Sequence, residues 1–180
     1  MSLPLAIEAI SEFYGDQKAE RSGVPYMNHI HEGLEIMRYR KSIGFTVTHE
    51  SMEAFALHPI MQADNGLANG IDYLSRYEFS TKVLLLVMEY RKSANSYLTK
   101  PDANRNMSSP SDIYVINNEV REMLVADKIQ NYKDFVKYFD TKDSRYMYLF
   151  DYFQNWMMYL NVTNYDYNFL IEVMEGVKND

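Results

Sequence analysis

Apolar residues recur along this chain at the three- and four-residue spacing of a helix, and no stretch alternates strictly as a half-buried strand does. That periodicity limits the chain to an all-α fold. Leu5, Ala9 and Phe13 mark a first helix that Tyr14-Gly15-Asp16 breaks. Residues 21–26 read as a loop, after which Asn28 is the expected N-cap of a helix carrying Ile30, Leu34 and Met37 on one face. Thr48, with Ser51 three positions on, is the expected cap of the helix that carries Met52, Phe55 and Ala56 and runs into His58. Asp64-Asn65-Gly66 stops it. A short amphipathic piece follows around Leu67, Ile71 and Leu74, then a long, largely buried helix over 78–98. Residues 99–112, with Pro101, Pro110 and several Asn and Ser, form the one long loop. Further helices are expected over 118–139, with Val125, Ile129, Tyr132 and Val136 as the core stripe, and over 145–160 and 167–177. The expectation is about eight helices in one domain spanning 1–180.

With 180 residues, 47% of them hydrophobic, the chain can bury a full core without covalent staples. It contains no cysteine, which excludes disulfide frameworks, thiolate metal sites and cysteine nucleophiles and fits a reducing, cytoplasmic setting. No secretory leader is evident. The longest apolar run, Val83 to Met88, falls far short of the roughly 20 residues that a membrane helix needs. A net charge of −7 argues against general nucleic-acid binding, which calls for a basic surface.

Three side chains suited to holding a metal stand on separate expected helices: His29 at a helix start, His58 near a helix end and Asp127 in mid-helix. Asp127 follows Met123 by four and Val120 by seven, so it projects from the edge of an apolar face, where a carboxylate needs a partner. Imidazoles and a carboxylate converging from different helices are a common way to hold a transition metal.

The residues around these three extend the pattern. Ser22-Gly23-x-Pro25-Tyr26-x-x-His29 resembles the opening motif of the RelA/SpoT-type (p)ppGpp hydrolase domain, a branch of the HD superfamily. Glu53-Ala54-Phe55-Ala56-Leu57-His58 resembles the segment that ends in that family's His-Asp pair, and Leu124-Val125-Ala126-Asp127-Lys128-Ile129-Gln130-Asn131 is similar to its third motif. The likeness spans roughly 5–140 and includes Tyr77-Glu78-Phe79-Ser80 in between. It implies a helical HD-like domain, with His29, His58 and Asp127 as ligands to a divalent metal, usually Mn²⁺. It places Arg21 beside a bound guanine nucleotide or other phosphorylated small molecule, Tyr26 in the pocket wall, and Asn131 against the ligand or the metal site.

The departures fall on the chemistry. Proline at 59 replaces the family's aspartate ligand, Gln62 and Ala63 replace the acidic pair that directs the attacking water, and Glu20 replaces a basic residue. Proline has no ligating side-chain atom, and glutamine cannot act as a carboxylate base. The sequence therefore points to metal-dependent hydrolysis weakened or lost, with nucleotide binding retained. A second reading is an active phosphohydrolase in which Asp64, or Asp102 or Asp112 from the long loop, compensates. A third is a non-catalytic helical interaction module.

The remaining features have simpler readings. His31 points away from His29, His49 is solvated near a helix start, and Arg38, Arg40 and Lys41 form a solvated basic patch with some capacity to attract phosphate. Fourteen aromatic side chains fall between Tyr132 and Phe169. Leu149, Phe150, Phe153, Met157 and Leu160 make one face of their helix, and Tyr148, Tyr152 and Tyr159 another. Either the last helix covers the second face, or a second copy of the chain does, as a homodimer through the aromatic C-terminal helices. The loop over 99–112 is expected to be a mobile border of the metal cleft.

Overall fold

The computed structural model describes residues 3–19, 22–62, 67–98, 115 and 117–176. Among these it contains eight α-helices and no strand: α1 (Leu3–Tyr14), α2 (Tyr26–Ser42), α3 (His49–Gln62), α4 (Leu67–Leu74), α5 (Thr81–Leu98), α6 (Asn118–Tyr138), α7 (Tyr146–Tyr159) and α8 (Asn164–Met174). The all-α expectation holds. No described helix is long and apolar enough to cross a membrane.

Two helices form the centre. From Ser51 to Met61, α3 is buried at every position except Pro59, because α1, α2, α4, α5 and α6 surround it. α6 is buried from Glu122 to Gln130 between α2, α5, α7 and α8. A helix enclosed on all sides must be apolar all round, and polar side chains inside it need partners. His58, Asp127, Lys128 and Gln130 are the polar residues that these two helices carry into the interior beside the cleft.

Local chemistry explains the element ends. Thr48 and Ser51 cap α3 reciprocally, Thr48 N–H donating to Ser51 Oγ (3.0 Å) and Ser51 N–H to Thr48 Oγ1 (3.1 Å). Asn117 caps α6 by accepting from Glu119 N–H at 2.9 Å. Asn28 is not a cap: α2 starts at Tyr26, with Pro25 (φ −54°) in the cap position. Proline's fixed φ suits a helix start, so the helix begins two residues before the first cap-type side chain. Ahead of it, Tyr26 N–H donates to the Gln17 carbonyl (3.1 Å) and Ala19 N–H to that of Val24 (2.9 Å), and Gly23 supplies the left-handed turn (φ +66°). This small clasp fixes where α2 enters the molecule.

Three further expectations need correction. Val136 is exposed, because the buried stripe of α6 passes through Tyr132 and Phe135 instead. The fifth helix starts at Thr81 and is only half buried: Val83, Leu86, Val87 and Tyr90 face inward while Leu84, Leu85 and Met88 face out. Nor is Arg40 a solvated cation. Its guanidinium grips buried Glu122 with two nitrogens, Nη2 to Oε1 at 3.0 Å, and lies over the Phe45 ring at 3.7 Å. His31 and His49 are both exposed as expected, and His49 Nε2 accepts from Leu3 N–H (3.2 Å).

Candidate metal centre

α2, α3 and α6 bring His29, His58 and Asp127 to one point. His29 Nε2 lies 3.4 Å from His58 Nε2 and 3.4 Å from Asp127 Oδ1, and His58 Nε2 lies 3.6 Å from the same oxygen. Gly33, one turn beyond His29 on α2, permits this approach. A Cβ there would fall 2.2 Å from the ring of Phe55, which lies beside both imidazoles.

The other ring nitrogens are held by partners that decide the tautomers. Gln130 donates through Nε2 to Glu32 Oε2 (2.9 Å) and Asp134 Oδ2 (3.0 Å), which turns its carbonyl oxygen toward His29 Nδ1 at 2.6 Å. His29 must therefore donate from Nδ1, leaving a lone pair on Nε2. His58 Nδ1 faces the Phe55 carbonyl at 2.6 Å, so it too donates from Nδ1 and bears its lone pair on Nε2. Two lone pairs and a carboxylate oxygen thus converge on one volume. They repel one another unless a cation stands among them. Their separations match the roughly 3.3–3.5 Å expected between atoms that ligate one ion at about 2.0–2.1 Å in tetrahedral arrangement. Imidazoles held through their outer nitrogens by an amide and a backbone carbonyl are the usual support of a metal site. The residues present fit a divalent ion.

Asp127 is oriented on both oxygens. Asn131, one turn on, donates to Oδ1 at 2.8 Å, and buried Lys128 pairs with Oδ2 at 2.8 Å. Burial alone would raise the Asp127 pKa; the Lys128 charge beside it outweighs this and holds the group well below the ordinary carboxylate range. Lys128 in turn stays charged: burial lowers its pKa, and the Asp127 charge more than restores it. Its ammonium also lies 5.0 Å from the Trp156 ring and 5.8 Å from that of Tyr152, both on α7. Burial lowers the His29 pKa, with Asp127 opposing in part, so its imidazole is neutral at neutral pH. Tyr90, fully buried with its ring 4.5 Å from that of His58, has its pKa raised by burial and by the Asp127 charge.

A cleft leads out from this point on the side of His29, whose side chain is 17% exposed against 1–2% for His58 and Asp127. Its inner chamber, about 260 Å³, is lined by His29, His58, Pro59, Gln62, Asp127 and Gln130 among others. An outer chamber of about 360 Å³ is walled by Phe135, Tyr138, Phe139, Leu149 and Phe153. Tyr26, Asn131, Asp134, Ser22 and Ala19 line both chambers. Tyr26 is stacked on Tyr14 with ring centroids 4.8 Å apart.

Of the residues singled out in the sequence, His29, His58, Asp127, Tyr26 and Asn131 therefore meet in one cleft. Arg21, Asp64, Ala63 and the loop over 99–112 with Asp102 and Asp112 lie outside the described residues. Sequence reasoning gave no role to Lys128, Gln130, the Phe55 carbonyl or Asp134. A lysine and a glutamine inside an apolar helical run were the available signal for the first two, and Asp134, seven residues after Asp127, shares its helix face. The Phe55 carbonyl left none.

Comparison of the chain with protein-family models, curated proteins and solved structures gives no match.

Proposed function

We propose that this chain is a divergent HD-type domain whose cleft binds a divalent metal ion, such as Mn²⁺, through His29, His58 and Asp127, and a phosphorylated small molecule, a guanine nucleotide being the first candidate. The convergence of two imidazole lone pairs and a carboxylate oxygen, each braced from behind, carries the metal reading. The likeness of the three motifs to those of (p)ppGpp hydrolases supports the nucleotide, as does the adjoining of two chambers, one lined by His29, His58 and Asp127 and the other walled by Phe135, Tyr138, Phe139 and Phe153. When bound, the metal polarises a phosphoryl oxygen and acidifies a bound water.

Hydrolysis is weak or lost in this reading. Pro59 and Gln62 line the inner chamber where an active relative presents carboxylates, so a metal-bound water lacks the group that takes its proton. General acid–base groups are typically worth about 10²–10⁴-fold. With Mn²⁺ and (p)ppGpp, the expected result is binding, seen as a raised Tm, with little or no pyrophosphate release. Combining Pro59→Asp, Gln62→Glu and Ala63→Asp is expected to tighten metal binding and raise turnover. Robust Mn²⁺-dependent hydrolysis by the natural chain, abolished by Asp127→Asn, contradicts the loss.

One observation favours a second reading, an active phosphohydrolase with a compensating carboxylate. Asp134 lines both chambers and is joined to His29 through Gln130. Loss of turnover in Asp134→Asn with metal binding retained identifies that case.

A further inference from the structure

Proline 59 stands in the last turn and a half of α3, where it removes one rung of the helix ladder. In an α-helix the N–H of residue 59 donates to the carbonyl of residue 55. Proline has no N–H, and its ring crowds the carbonyl four residues back. The Phe55 carbonyl thereby loses its helical donor, and it is this carbonyl that receives Nδ1 of His58 at 2.6 Å. Buried carbonyls need donors, and this one finds its donor in an imidazole whose other nitrogen faces His29 and Asp127.

We infer that Pro59 is a positioning residue for the metal centre: by vacating the Phe55 carbonyl it fixes His58 in the tautomer that carries its proton on Nδ1 and its lone pair on Nε2. The inference rests on the metal reading above and reverses the sense of the substitution. A proline in place of a carboxylate costs one ligand, yet it strengthens the hold on another. The competing tautomer, with the proton on Nε2, cannot ligate through that atom and would point an N–H at His29. A backbone N–H returned at residue 59 competes for the Phe55 carbonyl and so weakens the bond that favours the Nδ1–H form.

The test is Pro59→Ala, which returns the N–H without adding a ligand and places a good helix former in the helix. Two readouts are taken on the full chain. The first is the pair of ¹⁵N shifts of the His58 ring in metal-free protein, above the pH at which imidazoles titrate. The second is the Kd for Mn²⁺ by calorimetry. The natural chain is expected to show the Nδ1–H form, and Pro59→Ala a marked population of the Nε2–H form. Mn²⁺ binding is expected to weaken about 10-fold, the lower end of what losing an outer partner of a ligating histidine costs. The helical circular dichroism should be unchanged. An unaltered tautomer in Pro59→Ala overturns the inference, as does an altered tautomer with unaltered affinity. If the natural chain binds no Mn²⁺, the metal reading fails on its own, and the ring shifts still decide whether Pro59 sets the tautomer.

Discussion

Lys128 sets a buried ammonium on the carboxylate that faces the two histidines. It neutralises Asp127 through Oδ2 and leaves Oδ1 toward the histidines, so Asp127 offers a metal one oxygen rather than two. Breaking a buried pair by removing one partner typically costs about 3–5 kcal/mol, because the other charge is left alone. Lys128→Met is therefore expected to lower the stability of metal-free protein by about that amount, and added Mn²⁺ should recover more of it than it adds to the natural chain. Thermal melts with and without Mn²⁺ check this; an equal metal-induced shift in both proteins contradicts the shared-carboxylate account. His29 sets a pH dependence. Burial lowers the folded-state pKa of His29, so as pH falls below its ordinary value of about 6.5 the unfolded chain takes up a proton that the folded chain refuses. Stability and Mn²⁺ affinity are both expected to decline from there downward, while Asp127, with its depressed pKa, holds its charge until far lower pH. Urea titrations across that range provide the measurement, and flat stability between pH 7 and pH 5, both chosen test conditions around that ordinary value, contradicts it. At this scale the converging His29, His58 and Asp127 were legible in the sequence and their supports were not. His29, His58 and Asp127 are chemically distinctive types at motif spacing. The supports are an amide whose orientation depends on two carboxylates, a lysine that looks like a solvated one, and a backbone carbonyl that no residue letter reveals.

Helices α2 and α3 meet over a glycine. Gly33 has no Cβ, and the Phe55 ring occupies that space, which lets the helices bearing His29 and His58 approach until their Nε2 atoms are 3.4 Å apart. Gly33→Ala must push Phe55 or the helices apart. Overpacking of this kind costs typically about 1–3 kcal/mol, more than the helix propensity that alanine returns. The expected outcome is a lower Tm together with weaker Mn²⁺ binding. A stabilised variant with unchanged metal affinity would show that the close approach is not needed. Element identity was legible because the 3.6-residue period persists through all the described helices. Faces and ends were less so. α5 and α6 contain more apolar residues than one neighbour can cover, so periodicity alone could not say that Leu85 and Val136 face solvent while Tyr90 and Phe135 face inward. The start of α2 was misplaced because Pro25 and the backbone clasp before it, rather than Asn28, set the boundary.

For the molecule as a whole, the aromatic C-terminal third is tied to the cleft. Tyr152 and Trp156 on α7 flank the Lys128 ammonium, Phe153 and Leu149 wall the outer chamber, and Tyr132 stands 4.9 Å from Tyr167 of α8. α7 thus adds a wall to the cleft that α2, α3 and α6 begin, and its buried residues Tyr152, Phe153, Trp156 and Met157 share one helix face. Met147 and Met158 stay outside. The architecture of about eight helices could be read from the sequence, but the role of α7 could not, because it depends on a tertiary contact with one buried lysine. The most direct test of the central claim, that these elements assemble a metal centre, is calorimetric titration of chelator-treated protein with Mn²⁺, beside His58→Ala. The account predicts saturable binding of a single ion per chain in the natural protein and its loss in the variant; absence of binding in the natural protein, or equal binding by both, contradicts it.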